Sequence, residues 1–405
     1  MHSGRQHQST MFLVIAFALL ILTFAAPARA QSIEWKTLND EVEALYAAGN
    51  YDRAVVVAKK ALAVAEKEMG ADHPSVATSL NNLARLYKTQ GQYAAAEPLY
   101  TRALAIDEKA LGQDHPDVAT SLNGLAAKYY AQGRYAAAEP LYKRSLAIRE
   151  KAHGPDHPDV AQCLNNLAEL YFKQGEYAAA EPLYKRALAI YEKAHGPGHP
   201  LVATSLNNLG ALYDSQGQYA KAEPLYTRAL AIMEKALGQD HPDVATSLNN
   251  LALLYDSQGQ YAAAEPLYQR SLAIWEKALG KDHPDVATSL NNLAALYFKQ
   301  GQYAAAEPLY KRSLAIREKA LVKDHPDVAQ SLNNLGELYR TQGQYAVAEP
   351  LHKRALEIRE KALGKDHPNV AESLENMAGL YRMTDRAKAA EPLEARAKAI
   401  RAIKR

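Results

Sequence analysis

The chain of 405 residues carries 47 lysines and arginines against 45 aspartates and glutamates, a net charge of +2 with histidine neutral. So even a balance excludes nucleic acid or an anionic membrane as the main partner, because both require a clustered basic excess. The one cysteine, Cys163, leaves no internal disulfide to staple the fold and reads as a small buried thiol.

The first thirty residues differ from the rest. Residues 11–24 form an apolar run broken only by Thr23, and Ala28-Arg29-Ala30 follows in the small-x-small pattern that signal peptidases cleave. The run is shorter than the roughly 20 apolar residues of a membrane span. Residues 1–30 therefore read as a secretory signal peptide cut after Ala30, and the mature protein is expected in the periplasm or outside the cell. Cleavage removes Arg5 and Arg29 and no acidic residue, which leaves acidic and basic side chains equal in number and no expected tie to the membrane.

From residue 31 onward the sequence repeats. His-Pro pairs begin at His73, His115, His157, His199, His241, His283, His325 and His367, always 42 residues apart. A fixed period in this range marks a stacked array. A degenerate first repeat fills 31–72, seven 42-residue repeats fill 73–366, and a C-terminal capping repeat fills 367–405. These nine units leave no linker and no second domain.

Each unit predicts two helices, seen in the one that starts at His241. Pro242 suits the first helical position, where its missing N–H costs nothing. Asp243 favours the positive end of the helix dipole. Leu248, Leu251, Ala252 and Tyr255 then recur at three- and four-residue steps, the apolar stripe of an amphipathic helix. Ser257-Gln258-Gly259-Gln260 breaks the stripe, with Gly259 placed for a left-handed cap. A second helix is predicted over 261–279, with Ala264, Tyr268, Ser271, Leu272 and Ile274 on its inner face. The proline inside it, Pro266, recurs in every unit after the first, from Pro98 to Pro392, and is expected to bend the helix slightly with its ring facing solvent.

The spacing Leu248, Leu251-Ala252, Tyr255, Gly259, Tyr261, Ala264, Tyr268, Ser271 resembles the tetratricopeptide signature, with leucine at the usual tryptophan position. The longer unit, with its "NNLA", "AEPLY" and "DHP" segments, is similar to the repeats of kinesin light chains and their bacterial relatives. The resemblance implies an all-α, right-handed α-solenoid of nine stacked helix-turn-helix repeats, which presents a concave groove to a protein or peptide partner. In such proteins the second asparagine of the "NN" pair bonds the backbone of an extended ligand. That role would fall here to Asn82, Asn166, Asn208, Asn250, Asn292 and Asn334. The same amides would equally serve to bond neighbouring repeats.

Specificity is expected from positions on that face which differ between units: Arg85, Lys88, Phe172, Lys173, Asp214, Asp256, Phe298, Lys299 and Arg340, with Tyr130, Glu169, Leu253 and Glu337 beside them. Mixed charges and aromatics suit a peptide more than a small metabolite. Arg85 and Lys88 near one end and the two aspartates near the middle would fix its direction.

Two departures from the pattern stand out. Asp385 replaces the turn glycine in the last unit, whose polar outer face suits a cap. Lys128 replaces a core leucine and Gly124 the second asparagine in the unit starting at His115; Lys128 is expected to snorkel to solvent.

Chemistry has little support. Equivalent histidines of successive units stand about 8–10 Å apart at least, too far to share one zinc at about 2 Å, so each is expected to cap or pack its loop. His153, His157, His195 and His199 on adjacent loops make a narrower metal candidate without an evident supporting partner. No nucleophile, phosphate-loop or zinc-protease motif occurs. The reading is a non-enzymatic, cofactor-free interaction scaffold. The alternatives are a structural or oligomer-forming module with an empty groove, or a regulatory subunit with a metal-dependent site at the His153–His199 loops. Because the tyrosines are read as core, Tyr268→Ala is expected to cost about 3–5 kcal/mol; an unchanged urea midpoint would show that its ring is not core.

Overall fold

The computed structural model describes residues 33–403. The proposed signal segment lies outside them. Among the described residues there are eighteen helices and no strand. Each unit contributes one pair: 33–47 with Tyr51–Met69 first, Pro242–Ser257 with Tyr261–Leu279 in the middle, Pro368–Met383 with Ala387–Ala402 last.

The His-Pro pair starts the first helix of every unit from His73 on. The histidine sits at the N-cap in extended conformation, proline takes the first helical position, and the histidine Nδ1 accepts the N–H two residues on. This is the work a serine or aspartate does at other helix starts: one of the orphan N–H donors finds a partner. Because Nδ1 accepts, the ring proton is carried on Nε2.

The turn glycine is required by geometry. Gly259 has φ +72°, a left-handed conformation. In the last unit Asp385 takes φ +56°, the one non-glycine with positive φ among the described residues. Pro266 is the sixth residue of its helix, and the helix continues unbroken to Leu279. The proline leaves the carbonyl four residues earlier without its helical N–H, and this is tolerated because the ring lies on the solvent side. Every helix-internal proline from Pro98 to Pro392 is exposed.

Packing is small against large. Ala252 and Ala264 are wholly buried and let the helices of a pair approach, while Tyr268, Leu248 and Leu254 fill the space around them. Ile274 and Trp275 of the second helix pack on towards Val286 and Leu290 of the next unit, in a core that runs without a break from Val160 to Ile316. Cys163 is buried, as expected. Successive first helices touch each other more closely than successive second helices do. The first helices therefore line the inside of the curve and the second helices the outside.

Lys128 does not snorkel. It is wholly buried, its Nζ pairs with Glu97, and it lies 4.2 Å from the centre of the Tyr129 ring. Glu97 also accepts the Tyr129 hydroxyl at 2.8 Å. An ammonium left in the core without a partner would be costly; the nearby carboxylate offsets part of that cost, and burial still holds the Lys128 ammonium below the usual lysine range.

Curvature carries the chain back onto itself. The turn of the unit starting at His73 meets the loop of the unit starting at His325, six units on. There the His325 Nε2–H donates to the Thr89 carbonyl at 2.9 Å across 236 residues. The adjacent positions repeat the contact: a Cβ added to Gly49 or Gly133 would lie 2.9 Å from His283 Cδ2 or 2.7 Å from His367 Cδ2. Burial in this seam holds the His325 ring below the usual histidine range. Replacing His283, His325 and His367 with serine keeps a helix cap but removes the rings from the seam. The triple variant is expected to keep its helicity and to show a larger radius of gyration by small-angle scattering; an unchanged radius would contradict the seam.

Candidate functional site: the inner face of the coil

The first asparagine of each pair is consumed by the fold. Asn81 donates to Ser121 Oγ at 2.8 Å, Asn207 to Ser247 at 3.2 Å and Asn333 to Ser373 at 2.8 Å, each on the next unit. Asn249 is buried between inner helices and accepts the Asn292 amide at 2.9 Å. The first helix advances about 100° per residue, so neighbouring positions of one "NN" pair cannot share a surface.

The second asparagines divide into two groups. Asn82 donates to Asn39, Asn292 to Asn249 and Asn334 to Asn291, all on the preceding unit. Asn166, Asn208 and Asn250 are half-buried on three successive inner helices, and their amides have no hydrogen-bond partner among the described residues. Asn82, Asn292 and Asn334 thus take the inter-repeat bonding role anticipated for this position.

The variable residues are likewise partly occupied. Arg85 pairs with Glu43 and stacks 4.4 Å from the Tyr46 ring centre. Lys173 lies 3.6 Å from Glu169 and 5.1 Å over the Phe172 ring. Phe172 leans on Tyr177 at 5.9 Å and Phe298 on Tyr303 at 5.6 Å. Arg340 is held by Glu337 at 2.7 Å, and Lys299 by Asp256 at 2.8 Å. Lys88 and Asp214, both half-buried, have no ion-pair or hydrogen-bond partner among the described residues. Burial pushes the Asp214 carboxyl up and the Lys88 ammonium down, in each case away from the charged form.

Beneath this face runs the buried tyrosine of each second helix. The Tyr184 hydroxyl donates to Glu169 at 2.8 Å. Where Leu253 replaces that glutamate one finds the Tyr268 hydroxyl, wholly buried and unpartnered. His352 takes the tyrosine's place in the last full unit. Its Nδ1–H donates to Asn333 Oδ1 at 3.1 Å, and its Nε2 is buried without a partner.

The histidine loops offer a different picture from a metal centre. His153 stacks on His157 with ring centres 4.6 Å apart, and His195 on His199 at 4.4 Å. No group of three or more His, Cys, Asp or Glu side chains is placed to hold a metal ion among the described residues. Two clefts, of about 750 and 540 Å³, lie in the seam between coils and not on the inner helices.

Sequence reading missed a further column. On the second helix, Asp107, Tyr191, Met233, Trp275, Arg317 and Arg359 occupy one repeating position and are all buried. Arg359 donates to the Asn369 carbonyl at 2.7 Å, Ser373 Oγ at 2.9 Å and Gln330 at 2.7 Å. The signal was variation every 42 residues next to an invariant isoleucine position, which periodicity alone does not flag as buried.

Paired helices stacked in a curved row, with the first helix of each pair inside, define the solenoid class of interaction scaffold. The chain belongs to the tetratricopeptide repeat family, whose model matches residues 36–109, 90–151, 117–193, 164–235, 215–274, 243–319, 285–361 and 327–402. Its units are of the extended, kinesin-light-chain-like type. Among solved structures it is similar to BtubC (BKLC) from P. vanneervenii, at 28% identity over 58% of this chain and 93% of that one, TM-score 0.47. It is similar too to a kinesin light chain protein of nearly identical TPR-like repeats from Podosopora anserina, at 32% identity over 51% and 97% of the two chains, TM-score 0.43. A Rap protein complexed with competence and sporulation factor shares the fold at 16% identity, over 91% of this chain and 98% of that one, TM-score 0.61. No curated protein matches the chain.

Burial holds the His352 pKa down to about 4, against 6.5 for an ordinary histidine. An unfolded chain takes up this proton below pH 6.5 while the folded one refuses it until about pH 4. The stability this ring supports is therefore complete above pH 6.5 and drains away as pH falls towards 4, by on the order of 3 kcal/mol. His352→Tyr restores the residue found in the other full units. In urea titrations the variant's midpoint is expected to fall less than the parent's between pH 6.5 and 4; parallel curves would contradict a buried neutral ring.

Proposed function

We propose that the protein is exported and docks extended protein segments on the inner face of its coil, over the units that start at His157, His199 and His241. The observation that carries this reading is the run of unpartnered amides at Asn166, Asn208 and Asn250. An amide side chain offers a donor and an acceptor together, which matches a peptide group in an extended chain. At Asn82, Asn292 and Asn334 these groups are spent on neighbouring units, whereas the middle of the coil holds three free ones in succession.

The family supports the reading, since tetratricopeptide solenoids use their concave surfaces for protein–protein contact. A Rap protein of the same fold was solved in complex with competence and sporulation factor, which supports a protein or peptide partner. Phe172 supplies apolar area beside the amides, and Asp214 and Asp256 supply charge. Ordering a flexible segment costs much of the contact energy, so affinities of about micromolar are expected. The reading requires no catalytic group.

Binding is tested by titrating the protein with a labelled library of degenerate decapeptides. The variant Asn166→Ala/Asn208→Ala/Asn250→Ala is expected to bind about ten-fold more weakly or worse, with an unchanged melting temperature. Equal binding by parent and variant would overturn the groove. Export is tested by N-terminal sequencing of the protein recovered from the cell envelope and medium. A start at Gln31 is expected, and an intact chain confined to the cytoplasm would overturn it.

A further inference from the structure

The inner face carries one place where buried polar groups outnumber their partners. Asp256 is 7% exposed; its Oδ2 meets Lys299 Nζ at 2.8 Å, and its Oδ1 is buried with no partner. Asp214 stands at the same position one unit earlier, half-buried and unpaired. Under them lies the Tyr268 hydroxyl, wholly buried, unpartnered and within the electrostatic reach of both carboxylates. Of the two carboxylates only Asp256 has a lysine, and where the Tyr184 phenol of an earlier unit donates to Glu169, Tyr268 faces Leu253 at that position.

Buried polar groups without partners cost stability unless something supplies them. What this site lacks is positive charge with several N–H donors. A metal ion is a poor fit, because no third acidic, histidine or cysteine ligand is placed beside the pair. A guanidinium fits better: it is planar, remains charged when desolvated, and can bridge two carboxylates. The flanks agree, since Phe172 and Phe298 stand one unit to either side of the pair and can cover the stem of a long side chain.

We infer that Asp214 and Asp256 form a subsite for a basic side chain, arginine before lysine, at the centre of the docked segment. This rests on the inner-face docking reading and names the chemistry it selects. Lys88, three units nearer the N-terminus and also unpaired, gives the segment a direction with its acidic end towards that lysine.

The test uses the full-length protein and three sets of fluorescein-labelled peptides, degenerate except for arginine, glutamine or glutamate fixed at the centre, read by fluorescence anisotropy. The central-arginine set is expected to bind about ten-fold more tightly than the central-glutamate set. Asp214→Asn/Asp256→Asn is expected to bring the two sets within about two-fold of each other. Asp214→Asn alone removes a group that pairs with nothing in the fold, so it tests the same preference without risk to folding. Lys299→Met releases Asp256 and is expected to strengthen the arginine preference. If all three sets bind equally, or the preference survives both aspartate substitutions, the subsite is wrong and the groove stands. If no set binds, the groove reading falls and the subsite with it.

Discussion

A single helix pair of this chain would leave Leu248, Ile274 and Trp275 turned towards water, because a pair has too little surface to cover its own apolar stripe. Each unit is completed by the next: Ile274 and Trp275 are buried only because Val286 and Leu290 of the following unit lie against them. That dependence sets everything else. It fixes the spacing of the first helices, hence the curvature, hence which amides reach a neighbour and which remain open. The ends need exceptions, and the last unit meets this with a helix whose few buried residues are Ala390, Ala397 and Ile400.

Repetition carries a hazard that the buried column on the second helices addresses. Near-identical units stacked in a row can pair out of order at little cost if every interface is the same. Here Trp275, Arg317 and Arg359 key successive interfaces with different shapes and different hydrogen-bond demands. Arg359 meets the Asn369 carbonyl and Gln330, and Arg317 the equivalent Asp327 carbonyl and Thr288, while Trp275 puts an indole at the same position, so a slip between these interfaces exchanges a guanidinium for an apolar ring. These residues therefore act on register more than on net stability.

Much of this was legible from residue order. Helix limits followed from proline, glycine and the apolar step, and the second helix read as 261–279 runs from Tyr261 to Leu279. Pro266 faces solvent as its position implied. The failures share a cause. Lys128 was misread because its partner Glu97 lies on another helix, 31 residues away. The buried column at Trp275 and Arg359 was missed because variation from unit to unit carries no sign of burial. The seam at His325 was invisible, since it arises from small rotations accumulated over six units and from no local pattern. Of the candidate site, the sequence marked the first helices and the variable positions on them. It could not tell the occupied amides of Asn82 and Asn334 from the free ones of Asn166, Asn208 and Asn250.

The seam has a mechanical consequence. Where Thr89 and Gly133 press on His325 and His367, one coil rests on the next, as adjacent turns do in a closed spring. The bore of such a spring cannot widen unless its turns part, and its turns cannot part without altering the bore. The inner diameter and the contact between turns are thereby one quantity, set by the same accumulated rotation.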